Sequence, residues 1–429
     1  MQSRRDAVWV NPPLRFGVEF ALTYADKFSG GRMQQQPLTG VTVLDFGQVY
    51  NGPYCGFLLA QAGARVIKVE SLIGETLRGR GPTSPGAYAF SLLNSNKQSI
   101  TLNIKNAAAQ DLVKALACKV DVVFENFAPG VMDRYGIGAA ALRAENPELV
   151  YASSTGYGVA AGPYREYLGM DITLQAMTGV MSITGTDGGP PMKTAAAFAD
   201  FIAGTHLYAA IVSALFARTQ TGEGATIDIS MQDCVFPTLA TALGSFYAAG
   251  EQPPRAGNRH PGRALAPYNV YPAADGHVAI ICIREGHWRN LCEAMGRPEL
   301  ASSERYVDFA ARRVNIDAVD EEVTAWTSQH TRQEILEVTQ AHGVICAPVK
   351  DLADVIEDPH LKERGSLHIR PHEGFGEIAQ LQTPLRYRDI DPPELTDPPA
   401  LGEHTEAVLE ELLDIDAPEI ERLRRDEAI

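Results

Sequence analysis

At 429 residues and 45% hydrophobic content, the chain is long enough for a large core and for two or three domains. Its formal net charge of -16 argues against a protein that coats nucleic acid or an anionic membrane, and a polyanionic small ligand would need a local basic pocket against that global field. The six cysteines, Cys55, Cys118, Cys234, Cys282, Cys292 and Cys346, form no CxxC pair and no metal-ligand spacing, which fits reduced, mostly buried thiols and a cytoplasmic location.

Residues 1–36 are irregular and rich in Arg, Gln, Gly and Pro, and read as a disordered extension with Met33 as an alternative initiator. Ser3-Arg4-Arg5 has the outline of a twin-arginine signal, but Pro12, Pro13, Arg15 and Glu19 interrupt any apolar stretch after it, so export is not expected. Strand–helix alternation then begins. Strands are predicted at 41–46, 64–69, 99–104, 121–124, 147–153 and 225–230. Pro53 suits a first helical turn, Gly63 the position just past a helix end, and 106–119 is helical. Repeated βα units of this kind imply a parallel sheet with helices on both faces, and ligand loops at the strands' C-terminal ends. The apolar run 201–217 carries Thr205 and His206 and is short for a membrane span, so it reads as a buried helix with His206 as a core residue. The rhythm changes after the Pro-, Gly- and Arg-rich passage 252–267. A hairpin is expected at 270–283, helices at 288–295, 318–327 and 332–341, and a strand at 343–349. A Pro-rich stretch then leads to a last helical pair, 404–413 and 418–425.

The most informative single residue is Asp200. It follows the small-residue, strand-like run Lys193-Thr-Ala-Ala-Ala-Phe-Ala and opens the long apolar helix. Taken alone, this placement is that of a helix N-cap, because Asp accepts hydrogen bonds from free helix-start N–H groups. The chemistry elsewhere narrows the choice. The loop after the first strand, Asp45-Phe-Gly47-Gln-Val-Tyr-Asn-Gly52-Pro, is not a dinucleotide fingerprint. No Walker A sequence and no G-x-S-x-G elbow is present, and the histidines lack ligand spacing.

Several stretches, taken in order, carry a resemblance. They are Pro37-Leu-Thr-Gly-Val-Thr-Val-Leu-Asp-Phe, Gly63-Ala-Arg-Val-Ile-Lys-Val-Glu70, Asn96-Lys-Gln-Ser-Ile, Glu125-Asn-Phe-Ala-Pro-Gly130, Asp133-Arg-Tyr-Gly, Gly156-Tyr-Gly, Gly257-Asn-Arg-His-Pro261, Gly343-Val-Ile-Cys-Ala-Pro-Val, Asp358-Pro-His-Leu-Lys-Glu-Arg-Gly and Gly402-Glu-His-Thr. Over 38–429 the chain resembles the class III CoA-transferase family, which includes formyl-CoA and carnitine CoA-transferases. The resemblance implies an α/β fold: a Rossmann-like parallel-sheet large domain at 37–230, completed by 380–429, and a smaller α+β domain at 262–375. Residues 231–261 and 376–400 would be linkers, and two chains would interlock as rings in a homodimer.

The resemblance also implies that Asp200 is the catalytic nucleophile, and that CoA contacts come from Tyr50, Asn51, Leu102, Lys105, Asn126, Phe127, Ala128 and Arg134. Gly169, Met170, Asp171 and Ile172 would form the loop on the pantetheine side. Singly, Lys105 and Arg134 are ordinary surface charges and Phe127 an ordinary core ring. The substrates would be an acyl-CoA and a carboxylic acid, with neither metal nor cofactor beyond the CoA thioester itself. Two departures stand out. A family arginine after the second strand is replaced by Ser71, leaving Arg78 and Arg80 to supply that contact. The glycine run over the formyl-CoA transferase site is absent, and Asn258-Arg-His-Pro-Gly262 stands there, which argues against a small dicarboxylate such as oxalate as acceptor. The same fold hosts α-methylacyl-CoA racemases, which need a histidine before the aspartate at 171. Met170 cannot exchange a proton, so transferase is favoured, although Glu285 falls near another racemase-associated acid. A CoA-binding protein without catalysis is the third reading.

Overall fold

The computed structural model describes residues 35–78, 81 and 83–429, so the expectations for the N-terminal extension, for Met33 as initiator and for Arg80 lie outside the described residues. Strands β1 (Thr42–Phe46), β2 (Arg65–Glu70), β3 (Lys97–Thr101), β4 (Val122–Glu125), β5 (Val150–Thr155) and β6 (Thr226–Ser230) form one parallel sheet in the order β3-β2-β1-β4-β5-β6. β1 lies between β2 and β4, with Val43 opposite both Val66 and Val122.

The sequence explains why this sheet is buried. β1, β2, β4 and β5 are short β-branched and aromatic runs with almost every residue buried, as expected of strands covered on both faces. Side chains alternate between two cores. Leu44, Phe46, Ile67 and Val123 face one, and Val43, Val66, Val122 and Phe124 face the other. The C-terminal helices Thr405–Leu413 and Ala417–Arg425 return to the first core through Val408, Leu409, Ile420 and Leu423. The second core is closed by the Asp200 helix, Phe198–Thr221, through Leu207, Ile211 and Leu215.

Three expectations change. The run before Asp200 is not a strand: 191–197 is irregular, because the place beside β5 is taken by β6. The Asp200 helix is not buried all round. Ala199, Ala203, Leu207, Ile211 and Leu215 recur every fourth residue on the covered side, whereas Thr205, His206, Ala209, Ser213 and Phe216 are exposed. His206 is therefore no core histidine; its Nδ1 lies 2.8 Å from the Ile202 carbonyl on its own helix. Finally, the two linker stretches are partly ordered. Helices Met231–Val235 and Ala240–Ala249 occupy the first, and 376–381 of the second is a strand.

After the sheet, β7 (Tyr268–Ala273), β8 (Gly276–Ile281) and β9 (Ile345–Pro348) make an antiparallel sheet over a separate core around Trp288, Val319, Val323 and Ile335. A further hairpin, β10 (Leu367–His372) with β11 (Gly376–Leu381), lies against the helix Pro85–Asn94, where Tyr88 donates to the Ala379 carbonyl at 2.9 Å.

Gly204 fixes how the Asp200 helix meets the helix Asn51–Gln61. A Cβ there would lie 2.6 Å from the Asn51 carbonyl oxygen and 3.3 Å from the Tyr54 Cβ. Gly204→Ala should therefore lower stability by about 1–3 kcal/mol, despite a helix-propensity gain of about 1 kcal/mol. Urea denaturation measures this, and a midpoint equal to or above wild type would contradict the packing account.

Candidate active site

β1 and β4 are neighbours whose following segments diverge, which opens a crevice at the C-terminal edge of the sheet. Two loops line it, 47–50 after β1 and 126–130 after β4. Asn126 joins them: its Oδ1 accepts from the Gln48 N–H at 2.7 Å, and its Nδ2 donates to the Gln48 carbonyl at 3.0 Å. Beneath the β1 loop lie buried ion pairs. Lys97 Nζ donates to Asp45 at 2.8 Å, and Lys68 Nζ to Glu75 at 2.9 Å and to the Gly47 carbonyl at 2.8 Å. All four side chains are 2% exposed or less, so loss of one partner would leave an unpaired buried charge.

Asp200 enters this crevice from the first turn of its helix. It is the third helical residue, not the N-cap; that position belongs to Ala197, which offers no capping side chain. Asp171 supplies the cap from another segment. One of its oxygens accepts from the Ala199 N–H at 2.8 Å, and the other from Gln175 at 2.7 Å. The Asp200 carboxylate itself makes no hydrogen bond or ion pair among the described residues. Burial, and secondarily the charge of Asp171, push its pKa up to about 7.

A cavity of about 330 Å³ contains Asp200 together with Asn51, Asn126, Phe127, Ala128 and Met170 from the expected set. Asn51 is held by Ser154, with Nδ2 donating to Oγ at 2.8 Å. A second cavity of about 460 Å³ holds Leu102 and Lys105 at the ends of β2 and β3. Gln48 and Phe127 border both cavities, so the two are neighbours along one wall.

Other expected residues lie elsewhere. The Tyr50 ring stacks on Phe201 at 5.9 Å and packs beside Leu77 and Phe90, lining neither cavity. Arg134 is exposed at the end of the helix Val131–Arg134, also outside both. Asp171 serves the helix start. Arg78 is engaged by Glu70 at 2.7 and 2.8 Å, so it does not stand in as an unengaged substitute for the arginine missing at Ser71. In the smaller sheet region Arg259 bonds Asp317 and Asp320, and Glu285 bonds Arg312 and the Phe309 N–H.

Sequence reasoning missed Gln48, Ser154, Thr155, Tyr167, Leu168 and Met231 in the Asp200 cavity. Ser154, Thr155 and Met231 stand at the ends of β5 and β6, where the parallel-sheet rule places ligand contacts. Tyr167 and Leu168 belong to a loop seated where Gly169 meets Gly156; a Cβ on Gly169 would come within 2.7 Å of the Gly156 Cα. That contact joins residues 13 apart with no local signal in the sequence.

A doubly wound parallel sheet with a carboxylate at a helix start and a cleft at its switch point defines an α/β scaffold with a ligand crevice and no dinucleotide loop. The model of CoA-transferase family III matches residues 38–405, and the chain belongs to that family. It is 35% identical over 384 residues to the succinyl-CoA:mesaconate CoA-transferase of Haloarcula hispanica, covering 87% of this chain and 96% of that one. It is 37% identical over 334 residues to the acetyl-CoA:oxalate CoA-transferase of Acetobacter aceti, covering 77% and 85%. Among solved structures, a CAIB/BAIF family protein from Brucella suis superposes with a TM-score of 0.78 at 37% identity, covering 88% of this chain and all of that one.

The raised Asp200 pKa has a thermodynamic signature. In the unfolded chain the group ionises near 3.8, and in the folded protein near 7. Between those values the native state keeps a proton that the unfolded chain releases, so stability falls as pH rises through this window and is level above it. Asp200→Asn should remove that fall. Relative to wild type it should gain up to about 4 kcal/mol at pH 8 and nothing below pH 4. Urea denaturation of both proteins across pH checks this; parallel stability profiles would refute it.

Proposed function

We propose that the protein moves CoA from an acyl-CoA thioester to a carboxylic acid with Asp200 as nucleophile. The carrying observation is the Asp200 carboxylate, free of hydrogen-bond partners among the described residues, in a cavity continuous along one wall with a second that reaches Lys105. An Asp200 oxygen attacks the thioester carbonyl carbon and expels CoA thiolate, leaving a mixed anhydride. The thiolate attacks the aspartyl carbonyl, releasing the donor acid and forming an aspartyl-CoA thioester. An acceptor carboxylate attacks that thioester, giving a second anhydride and thiolate. Thiolate attack on the acceptor's carbonyl yields the new acyl-CoA and restores Asp200, which now carries one acceptor oxygen. The thioester's energy is conserved throughout, so these steps call for neither metal nor redox group.

CoA would lie along the 126–128 wall, with the thioester beside Asp200 and the nucleotide end toward Leu102 and Lys105. Phe127 offers a stacking face and Lys105 a phosphate partner. The racemase reading has no support in the geometry: Met170 borders the cavity without a titratable group, both Asp171 oxygens are engaged, and Glu285 is held by Arg312. The reading includes a cytoplasmic homodimer. The dimer's support is a set of exposed apolar side chains, Phe216, Phe236, Phe246 and Tyr247, at 67%, 54%, 41% and 80% exposure.

Asp200→Asn should lower transfer by at least about a thousandfold while CoA still binds. With an acid labelled by ¹⁸O, turnover should deposit the label on Asp200, and hydroxylamine should trap the acylated residue; mass spectrometry reads both. Transfer that survives the substitution would end this mechanism. Because attack needs the ionised carboxylate, kcat/KM for the acyl-CoA should climb as pH rises through about 7, the folded-state value for Asp200.

A further inference from the structure

Glu125 ends β4 immediately before the wall that borders both cavities, yet its side chain lines neither of them. It is 7% exposed. Its Oε2 accepts the Phe127 N–H at 2.7 Å, folding the backbone so that the next residues turn across the end of the sheet. Three consecutive residues thus divide the work. Glu125 anchors the backbone, Asn126 clamps Gln48 of the neighbouring loop, and Phe127 presents its ring where the two cavities meet.

On its other side Glu125 faces a cavity of about 720 Å³ shared with Asp133, Tyr151, Arg165, Glu166 and Asp228. Asp133 comes from the helix Val131–Arg134, Tyr151 from β5 and Asp228 from β6. The Asp228 oxygens accept from the Val159 and Ala160 N–H groups, so that carboxylate is engaged away from Glu125.

We propose that Glu125 is a positioning residue for CoA: its bond to the Phe127 N–H sets the ring and the Asn126 amide against which CoA is laid. The proposal rests on the reading of the cleft as a CoA site. Burial, with the Asp133 charge adding to it and the Phe127 N–H opposing, holds the Glu125 pKa up at about 8. The group is then neutral at pH 7. Ionisation above pH 8 places a negative charge behind the wall along which a polyanion must lie, which weakens binding.

The test uses the full chain and CoA itself as the probe, with affinity measured by titration calorimetry between pH 7 and 9. Glu125→Ala leaves the Phe127 N–H without its acceptor and should weaken CoA binding about tenfold at pH 7. Glu125→Gln keeps an acceptor oxygen and should bind within about twofold of wild type there. Wild-type affinity should fall several-fold further toward pH 9 than that of Glu125→Gln, since Asp200 in the cleft and Asp133, Tyr151, Arg165, Glu166 and Asp228 are common to both proteins and cancel in the comparison. Unchanged affinity in Glu125→Ala, or parallel pH profiles for wild type and Glu125→Gln, would overturn the assignment. Should Glu125→Ala fail to fold, the comparison of wild type with Glu125→Gln decides alone. A wild-type protein that binds no CoA would sink the functional reading itself, whereas wild-type binding with unmoved variants sinks only the role of Glu125.

Discussion

The gap between β1 and β4 is bridged by one amide. Asn126 bonds both the N–H and the carbonyl of Gln48, and so ties together two loops that the sheet topology sends apart. That tie fixes the two loops relative to each other along the wall that both cavities share. The rest of the site is arranged around it. Asn51, the first residue of the next helix, is held to Ser154 of β5, and the Asp200 helix rests on Asn51's carbonyl through Gly204. The position of Asp200 is thereby tied to the same loops by backbone contact rather than by a flexible side chain.

Charge is managed differently on the two sides of the crevice. Beneath the β1 loop, Asp45, Lys68, Glu75 and Lys97 are neutralised in pairs at full burial. Such pairs contribute little net stability but are costly to break, so they hold the loop to one conformation. Among the described residues Asp200 has no such partner. The charge that acts on it, Asp171, has the same sign and caps the helix on which Asp200 sits. A buried carboxylate kept without a counter-ion is hard to ionise, and once ionised it is more basic and more nucleophilic than an exposed one, which would suit the proposed role of Asp200.

Much of this is readable in the residues. The βα alternation locates every strand of the large sheet to within a few residues, because β-branched runs bounded by Gly and Pro leave little choice. Asn51, Asn126, Phe127, Ala128 and Met170 do line the Asp200 cavity, since each stands at a strand's C-terminal end or in the loop beside it. The failures share one cause, the competition among neighbours in three dimensions. The alanine run before Asp200 has strand-like composition but no free sheet edge, because β6 occupies it. Tyr50 has the right loop but turns to stack on Phe201, and Arg78 has the right charge but is claimed by Glu70. For His206, hydropathy averaged over the helix cannot say which side of the cylinder a residue faces.

The single ring at position 127, bordering a chamber on either side, has a further consequence. A molecule long enough to occupy both chambers would be held at two ends of a fixed span, whereas a short thioester would fill only one. The fold would then act as a caliper. On the proposed reading it would gauge the handle of its substrate, a long and charged tail common to many metabolites, and leave the small acyl head to be judged separately in the chamber beside the aspartate.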